Sequence, residues 1–196
     1  TNTSLLFNIL LAKENDETEE EIKKDIQGPS DSWSELIQCF KEYHAFLTST
    51  GYDHLATDPD RLIFGIMREI HGIKIGIAGL NSAWTMFEDR KKGQVWTCGE
   101  WQVNKLQAML ESAQIKIAMM HHNPVDWVVN QEDGLSQILQ DEFHFFLHGH
   151  GHRPWFSNID SKHVTISAGA VYADKNINKE SGYNFVRLDL DQTSGE

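Results

Sequence analysis

Two short apolar runs, each followed at once by a cluster of histidines, constrain this chain more than any other feature. Ile115–Met120 reads IKIAMM and runs directly into His121-His122-Asn123-Pro124. Phe143–Leu147 reads FHFFL and runs directly into His148-Gly149-His150-Gly151-His152. A nearly continuous apolar run suggests a strand buried on both faces, the kind found in parallel sheets covered by helices. In open α/β sheets, active sites are built just beyond the carboxyl ends of such strands. Both histidine clusters are expected at that edge.

The rest of the chain fits the same class. Leu62–Glu69 (LIFGIMRE) and Ile73–Leu80 (IKIGIAGL) are short β-type runs joined by His71-Gly72, which reads as a hairpin turn. A glycine-rich and aromatic loop is expected from Asn81 to Gly99. Val103, Leu106, Met109 and Leu110 recur at helical spacing within Glu100–Ala113, and Leu135–Leu139 is a second helix candidate. Val164–Ala170 and Tyr183–Leu190 are expected to be the last two strands. Strands alternating with helices, then strands alone, indicate a layered α/β fold.

Residues 1–60 have a different texture and are read as a helical region, with 61–196 forming the α/β part. Ser32 can cap a helix with Glu35 three residues on, and Trp33, Leu36, Ile37, Phe40, Tyr43, Phe46 and Leu47 then recur at helical spacing. Those aromatics are assigned to the core. Gly28-Pro29 separates this helix from an earlier one over roughly Glu17–Ile26, and Asp58-Pro59-Asp60 is read as the turn that closes the region.

Composition excludes several classes of function. The 196-residue chain carries a net charge of −12, part of it in the acidic run from Glu14 to Glu21. That balance disfavours nucleic acid, whose binding needs clustered Lys and Arg to displace counterions. Cys39 and Cys98 are too few and too far apart for a disulfide framework or a thiolate metal site. No apolar stretch reaches the roughly 18–20 residues that span a bilayer. The apolar patch Leu5–Ala12 lacks the flanks of a signal peptide, so no membrane association and a cytoplasmic location are expected.

The chain has ten histidines, and six of them fall between His121 and His152. Neutral imidazole is the commonest protein ligand for zinc and also suits manganese, iron or nickel. If the segment is extended, His150 and His152 point to the same side and can converge on one metal or on two neighbouring ones. Gly149 and Gly151 would allow backbone angles that bulkier residues resist. His121, from the neighbouring strand, would add a third nitrogen. Three imidazoles with no thiolate suggest a catalytic site more than a structural one.

Three motifs carry a family resemblance. Met120-His121-His122-Asn123-Pro124 resembles the HHxP motif of the calcineurin-like metallophosphoesterases. Leu147-His148-Gly149-His150-Gly151-His152-Arg153-Pro154 resembles their GHxH motif, and Gly79-Leu80-Asn81-Ser82-Ala83-Trp84 their GLNSAW segment. Ser167-Ala168-Gly169 and Gly182-Tyr183-Asn184-Phe185 are similar to the closing strands. The resemblance spans roughly Leu62 to Asp189. It implies an α/β/β/α sandwich and a hydrolase of phosphate esters with two divalent metal ions, of Mn, Fe, Zn or Ni. It places His121 and His150 on one metal and His152 on the other, and gives His122 a role in orienting the loop or the substrate. His148 would stand behind the ligands, Arg153 could meet a phosphate oxygen, and Asn81 and Trp84 would lie near the substrate entrance.

The family's Asp-x-His, Gly-Asp-x-x-Asp and Gly-Asn-His-Asp/Glu motifs do not occur in this sequence. The resemblance therefore assigns no leaving-group acid here; residues 1–60 match a helical insertion and the fold is expected to be incomplete at its N-terminal side. Alone, the chain is expected to be inactive. Two other readings stay open: a non-catalytic interaction module, and a mononuclear zinc hydrolase with three histidine ligands.

Overall fold

A computed structural model describes residues 31–58, 63–84, 100–127, 134–160, 162–169 and 182–188, together with Lys24. The expected helix over Glu17–Ile26 lies outside the described residues apart from Lys24. The acidic run, Gly28-Pro29, most of the Asn81–Gly99 loop, and Pro59-Asp60 lie outside them as well. Among the described residues, no helix is long and apolar enough to cross a membrane.

A seven-stranded mixed sheet organises the chain, in the order β1-β2-β3-β4-β5-β7-β6. Its strands are β1 (Ala56–Asp58), β2 (Ile63–Ile70), β3 (Ile73–Leu80), β4 (Ile115–Met120), β5 (Phe145–His148), β6 (Trp155–Ile159) and β7 (His163–Ser167). The expected α/β class is what forms. β2 and β3 make the antiparallel hairpin, with Ile70 opposite Ile73. His71 and Gly72 both have positive φ, 52° and 81°, the two-residue turn whose twist matches that of the flanking strands.

From β3 onward the pairing is parallel through β4, β5 and β7, and β6 closes the far edge antiparallel to β7. Parallel neighbours need crossovers, and helices supply the first two: α3 (Glu100–Met109) between β3 and β4, and α4 (Pro124–Trp127) with α5 (Leu135–Glu142) between β4 and β5, while β6 lies between β5 and β7. One row runs level across the carboxyl ends of these strands: Leu80 opposite Met120, Met120 opposite His148, His148 opposite Ser167. Everything just beyond that row shares one rim.

The core lies on one face of the sheet. Ala78, Leu80, Ala118, Met120 and Phe146 pack there against Val103, Leu106 and Leu110 of the α3 segment and Leu135, Leu139 and Phe143 of the α5 segment. Helix α3 comes unusually near the sheet because Gly65 and Gly76 lie beneath it. A Cβ on Gly76 would stand 3.0 Å from the Ala113 Cβ and 3.1 Å from the Leu110 Cβ. On the opposite face, Ile77, Ile117, Phe145 and Leu147 are only half-buried, and Met119 is 46% exposed. The continuous apolar runs are thus fully buried on one face and not, as expected, on both.

The helical region also departs from expectation. Its apolar spacing predicts one helix, but two form, α1 (Asp31–Gln38) and α2 (Lys41–Ser49), broken at Phe40. Trp33 and Leu47 are buried, whereas Tyr43 and Phe46 are about half exposed, 49% and 56%. A helix that buries one narrow stripe leaves its other apolar residues in water. Residues 183–188, the described part of the expected strand Tyr183–Leu190, join no ladder. β7 already pairs on both edges, with β5 and β6, so it offers them no free edge. Asn184 instead donates from Nδ2 to the Ser167 carbonyl at 3.2 Å.

Candidate metal centre

The rim beyond the level row carries the histidines. Residues 121 and 122 follow β4, and 149 and 150 follow β5, so their side chains meet although far apart in sequence. The ring centroids of His121 and His150 are 5.0 Å apart, those of His122 and His150 4.7 Å, and those of His121 and His122 4.8 Å. One nitrogen from each ring lies within 4.8 Å of one from each of the others. His121 Nε2 and His150 Nδ1 approach to 3.1 Å. A single first-row divalent ion bonds imidazole nitrogen at about 2.0–2.1 Å, so the three nitrogens could hold one ion once the rings close in on it.

Local backbone geometry brings His150 inward. The Gly151 N–H donates to the Gly149 carbonyl at 2.8 Å, two residues back, and His150 between them has φ 62°. A three-residue turn around a positive φ is rare and strained. His152 follows with φ 52°. Left-handed backbone at residues other than glycine costs about 1–3 kcal/mol each and clusters at functional sites. The segment is therefore not extended, and strict alternation of side chains does not apply to it. Nor do the glycines carry the positive angles; the histidines do. Gly149 contributes closeness: its N–H donates to the His121 carbonyl at 3.0 Å, and a Cβ there would rest 3.6 Å from His121 Nδ1.

The three rings differ in environment. His121 is exposed, His150 half-buried, and His122 buried at 2% exposure. Desolvation, with smaller contributions from His121 and His150, lowers the His122 pKa to about 4. A neutral imidazole at physiological pH keeps a nitrogen lone pair available to a metal. Ser82 holds this ring from behind, with its Oγ 2.8 Å from Nδ1. Asn123 Oδ1 accepts the Val125 N–H at 3.1 Å and caps the short α4 that begins at Pro124, which fixes the chain as it leaves the pair.

The remaining sequence-derived positions are placed as follows. His152 is half-buried and, among the described residues, stands outside the three-histidine group. His148 is buried, stacked on Phe146 at 5.5 Å with Trp155 at 5.4 Å, and its Nδ1 is 3.3 Å from the Gly149 carbonyl. Arg153 is exposed, and its carbonyl accepts the Ser167 hydroxyl at 2.9 Å. Asn81 is half-buried and accepts the Ala83 N–H at 2.9 Å, shaping its own loop. Trp84 is buried edge-on against Trp33, with centroids 5.8 Å apart. A cleft of about 600 Å³ opens beside His121, lined by apolar side chains that include Met119, Leu147 and Ile166.

Sequence reasoning gave His122 no metal-binding role, although the structure groups it with His121 and His150. It named Ser82 only as part of the Gly79–Trp84 segment and gave it no role. The signal for Ser82 was its spacing: once β3 and β4 run parallel with residue 80 level with 120, residue 82 falls level with 122.

No family model matches the sequence, and no curated protein matches it. Among solved structures that do match is a Staphylococcus aureus protein carrying a provisional 5'-nucleotidase description, in complex with alpha-ketoglutarate. The two chains share 12% identity and superpose with a TM-score of 0.39, over 54% of this chain and 23% of that one. This chain thus spans under a quarter of the length of that protein. A likeness of this extent identifies neither a family nor an activity.

Proposed function

We propose that this chain supplies the histidine side of a divalent-metal centre that hydrolyses small phosphate esters. The observation that carries the reading is the three-histidine group, with its nitrogens within 4.8 Å of one another at the carboxyl rim of a parallel sheet. The order of the His121-His122-Asn123-Pro124 and His148-Gly149-His150-Gly151-His152 motifs, as in the metallophosphoesterases, supports the choice of reaction. A divalent ion held there supplies Lewis-acid polarisation of a phosphoryl oxygen and makes water a competent nucleophile near neutral pH. The chain's own part is positional. His121, His122 and His150 present the ligand nitrogens, the turn at Gly149–Gly151 fixes His150, and the cleft beside His121 shields the ester group from water.

Three neutral imidazoles leave the charge of the ion unbalanced, and a hydrolytic centre with two ions needs carboxylates besides. In the dinuclear form of the proposal, His152 serves the second ion, with acidic ligands that the motifs of this sequence do not supply. The compactness of the trio favours a second reading, a mononuclear three-histidine hydrolase. Metal content of the purified chain separates them: one tightly held ion per chain supports the mononuclear form, and weak binding, for want of carboxylates, supports the dinuclear one. None would end both. Turnover of an aryl phosphate ester by the full-length protein with added manganese, abolished in His150→Ala, tests the activity.

A further inference from the structure

Ser82 and His122 are both buried at 2% exposure, and two contacts join them. The Oγ of Ser82 lies 2.8 Å from His122 Nδ1 and also accepts the His122 backbone N–H at 3.3 Å. We propose that Ser82 is a positioning residue for the metal centre, accepting a hydrogen bond from Nδ1–H of His122 so that the ring turns its Nε2 lone pair toward His121 and His150. The use made of that lone pair rests on the metal reading above.

A serine hydroxyl has one donor and two acceptor sites, while a neutral imidazole carries its single proton on one nitrogen or the other. The backbone N–H of His122 takes one acceptor site of Oγ. The contact with Nδ1 can then run in two directions. If Ser82 donates, Nδ1 is the acceptor and the proton sits on Nε2, where it blocks coordination. If Nδ1–H donates to the second lone pair of Oγ, Nε2 is left as the nitrogen a metal takes. A bound ion selects this second arrangement, and Ser82 is the acceptor already in place for the displaced proton. Ligating histidines generally need such a partner behind them, and its loss costs about 10–100-fold in metal affinity.

The pair also resembles a serine nucleophile with its base, but burial argues against that use. An Oγ that is shut from solvent and occupied by a backbone N–H cannot reach a substrate.

The test is zinc affinity of the full chain and of Ser82→Ala, by competition with a chromophoric chelator, together with ¹H–¹⁵N imidazole spectra of the zinc-loaded proteins. We expect a 10–100-fold weaker affinity in Ser82→Ala. We also expect an Nδ1–H resonance for His122 in the parent, protected from exchange and lost or fast-exchanging in the variant. Ser82→Cys, nearly isosteric but a weaker acceptor, serves if the alanine variant fails to fold, and should lie between the two. Parent-like affinity in a folded Ser82 variant, or a His122 proton on Nε2 in the zinc-loaded parent, overturns the positioning role alone. A parent chain that binds no zinc overturns the metal reading and this proposal with it.

Discussion

His121 Nε2 and His150 Nδ1 stand 3.1 Å apart although twenty-nine residues separate them in the chain. The register of two parallel strands produces this contact, since Met120 sits opposite His148 and one or two further residues bring each ring to the rim. At that separation two bare lone pairs would repel, so one nitrogen carries a proton toward the other. An ion bound between the rings would take the place of that proton.

Removing any one of these rings should therefore act on metal affinity more than on folding. His121→Ala and His150→Ala are expected to weaken zinc or cobalt binding by at least about a hundredfold, beyond the range for partners that only support a ligand. His152→Ala should leave the first ion bound within a few-fold. Cobalt titration followed by its visible absorption distinguishes these outcomes. A His152 variant that loses the first ion would move the centre toward residue 152.

The glycines under helix α3 give a packing test away from the site. At Gly76 an added Cβ meets the Cβ atoms of Ala113 and Leu110, at 3.0 and 3.1 Å. Neither atom can swing aside without moving the segment it sits on. At Gly65 the nearest atom is Leu106 Cδ2, at 2.8 Å, the far end of a flexible side chain. Gly76→Ala is expected to destabilise the chain by about 1–3 kcal/mol, as overpacking does, and Gly65→Ala by clearly less. Urea denaturation compares them directly. Equal losses would mean that α3 slides as a unit over the sheet.

Much of this architecture was legible in the sequence because its signals are local. The apolar runs of β3, β4 and β5, the positive-φ turn at His71-Gly72 and the spacing of Val103, Leu106 and Leu110 all depend on near neighbours. The position of the histidines beyond two buried strands followed from the same runs. Residues whose role depends on register were not legible. Ser82 becomes interesting only when β3 and β4 are known to be parallel and level. His122 joins the trio once the strand register is known, and its Nδ1 then lies 2.8 Å from the Ser82 Oγ. The break at Phe40, the left-handed backbone at His150 and His152, and the missing ladder at 182–188 depend on tertiary context. In the last case β7 is already paired on both sides, and no property of residues 182–188 reveals that.

Trp33 ties the helical region to the loop behind the site, meeting Trp84 edge-on at 5.8 Å with both indoles buried. Trp84 is two residues from Ser82, so loss of the Trp33 ring should loosen the loop as well as the fold. Trp33→Ala is expected to cost about 3 kcal/mol, at the lower end for a buried aromatic. It should also reduce hydrogen-exchange protection over residues 81–84. Unchanged protection there, alongside lost stability, would confine the role of Trp33 to packing of the helical region.

At the opposite edge of the sheet, His144 is expected to make stability depend on pH. Its Nδ1 accepts the Lys116 backbone N–H at 3.1 Å, so that nitrogen has to be unprotonated. Although the side chain is largely exposed, partial desolvation at the strand end lowers its pKa, helped by Lys116 on β4 and His163 on β7. The folded pKa thus lies below the ordinary histidine value of about 6.5. Between the two values the unfolded chain binds more protons than the folded one, so stability rises with pH there and is lost as the pH falls. With chelator present to exclude metal linkage, the urea midpoint of the parent is expected to drop from pH 7 toward pH 5. His144→Asn keeps an acceptor for the Lys116 N–H without a titrating ring, and should match the parent near pH 8 while losing less on acidification. Its remaining slope belongs to other groups, His122 first, whose pKa is also lowered. Parallel acid limbs for parent and variant would show that His144 stays in its contact when protonated.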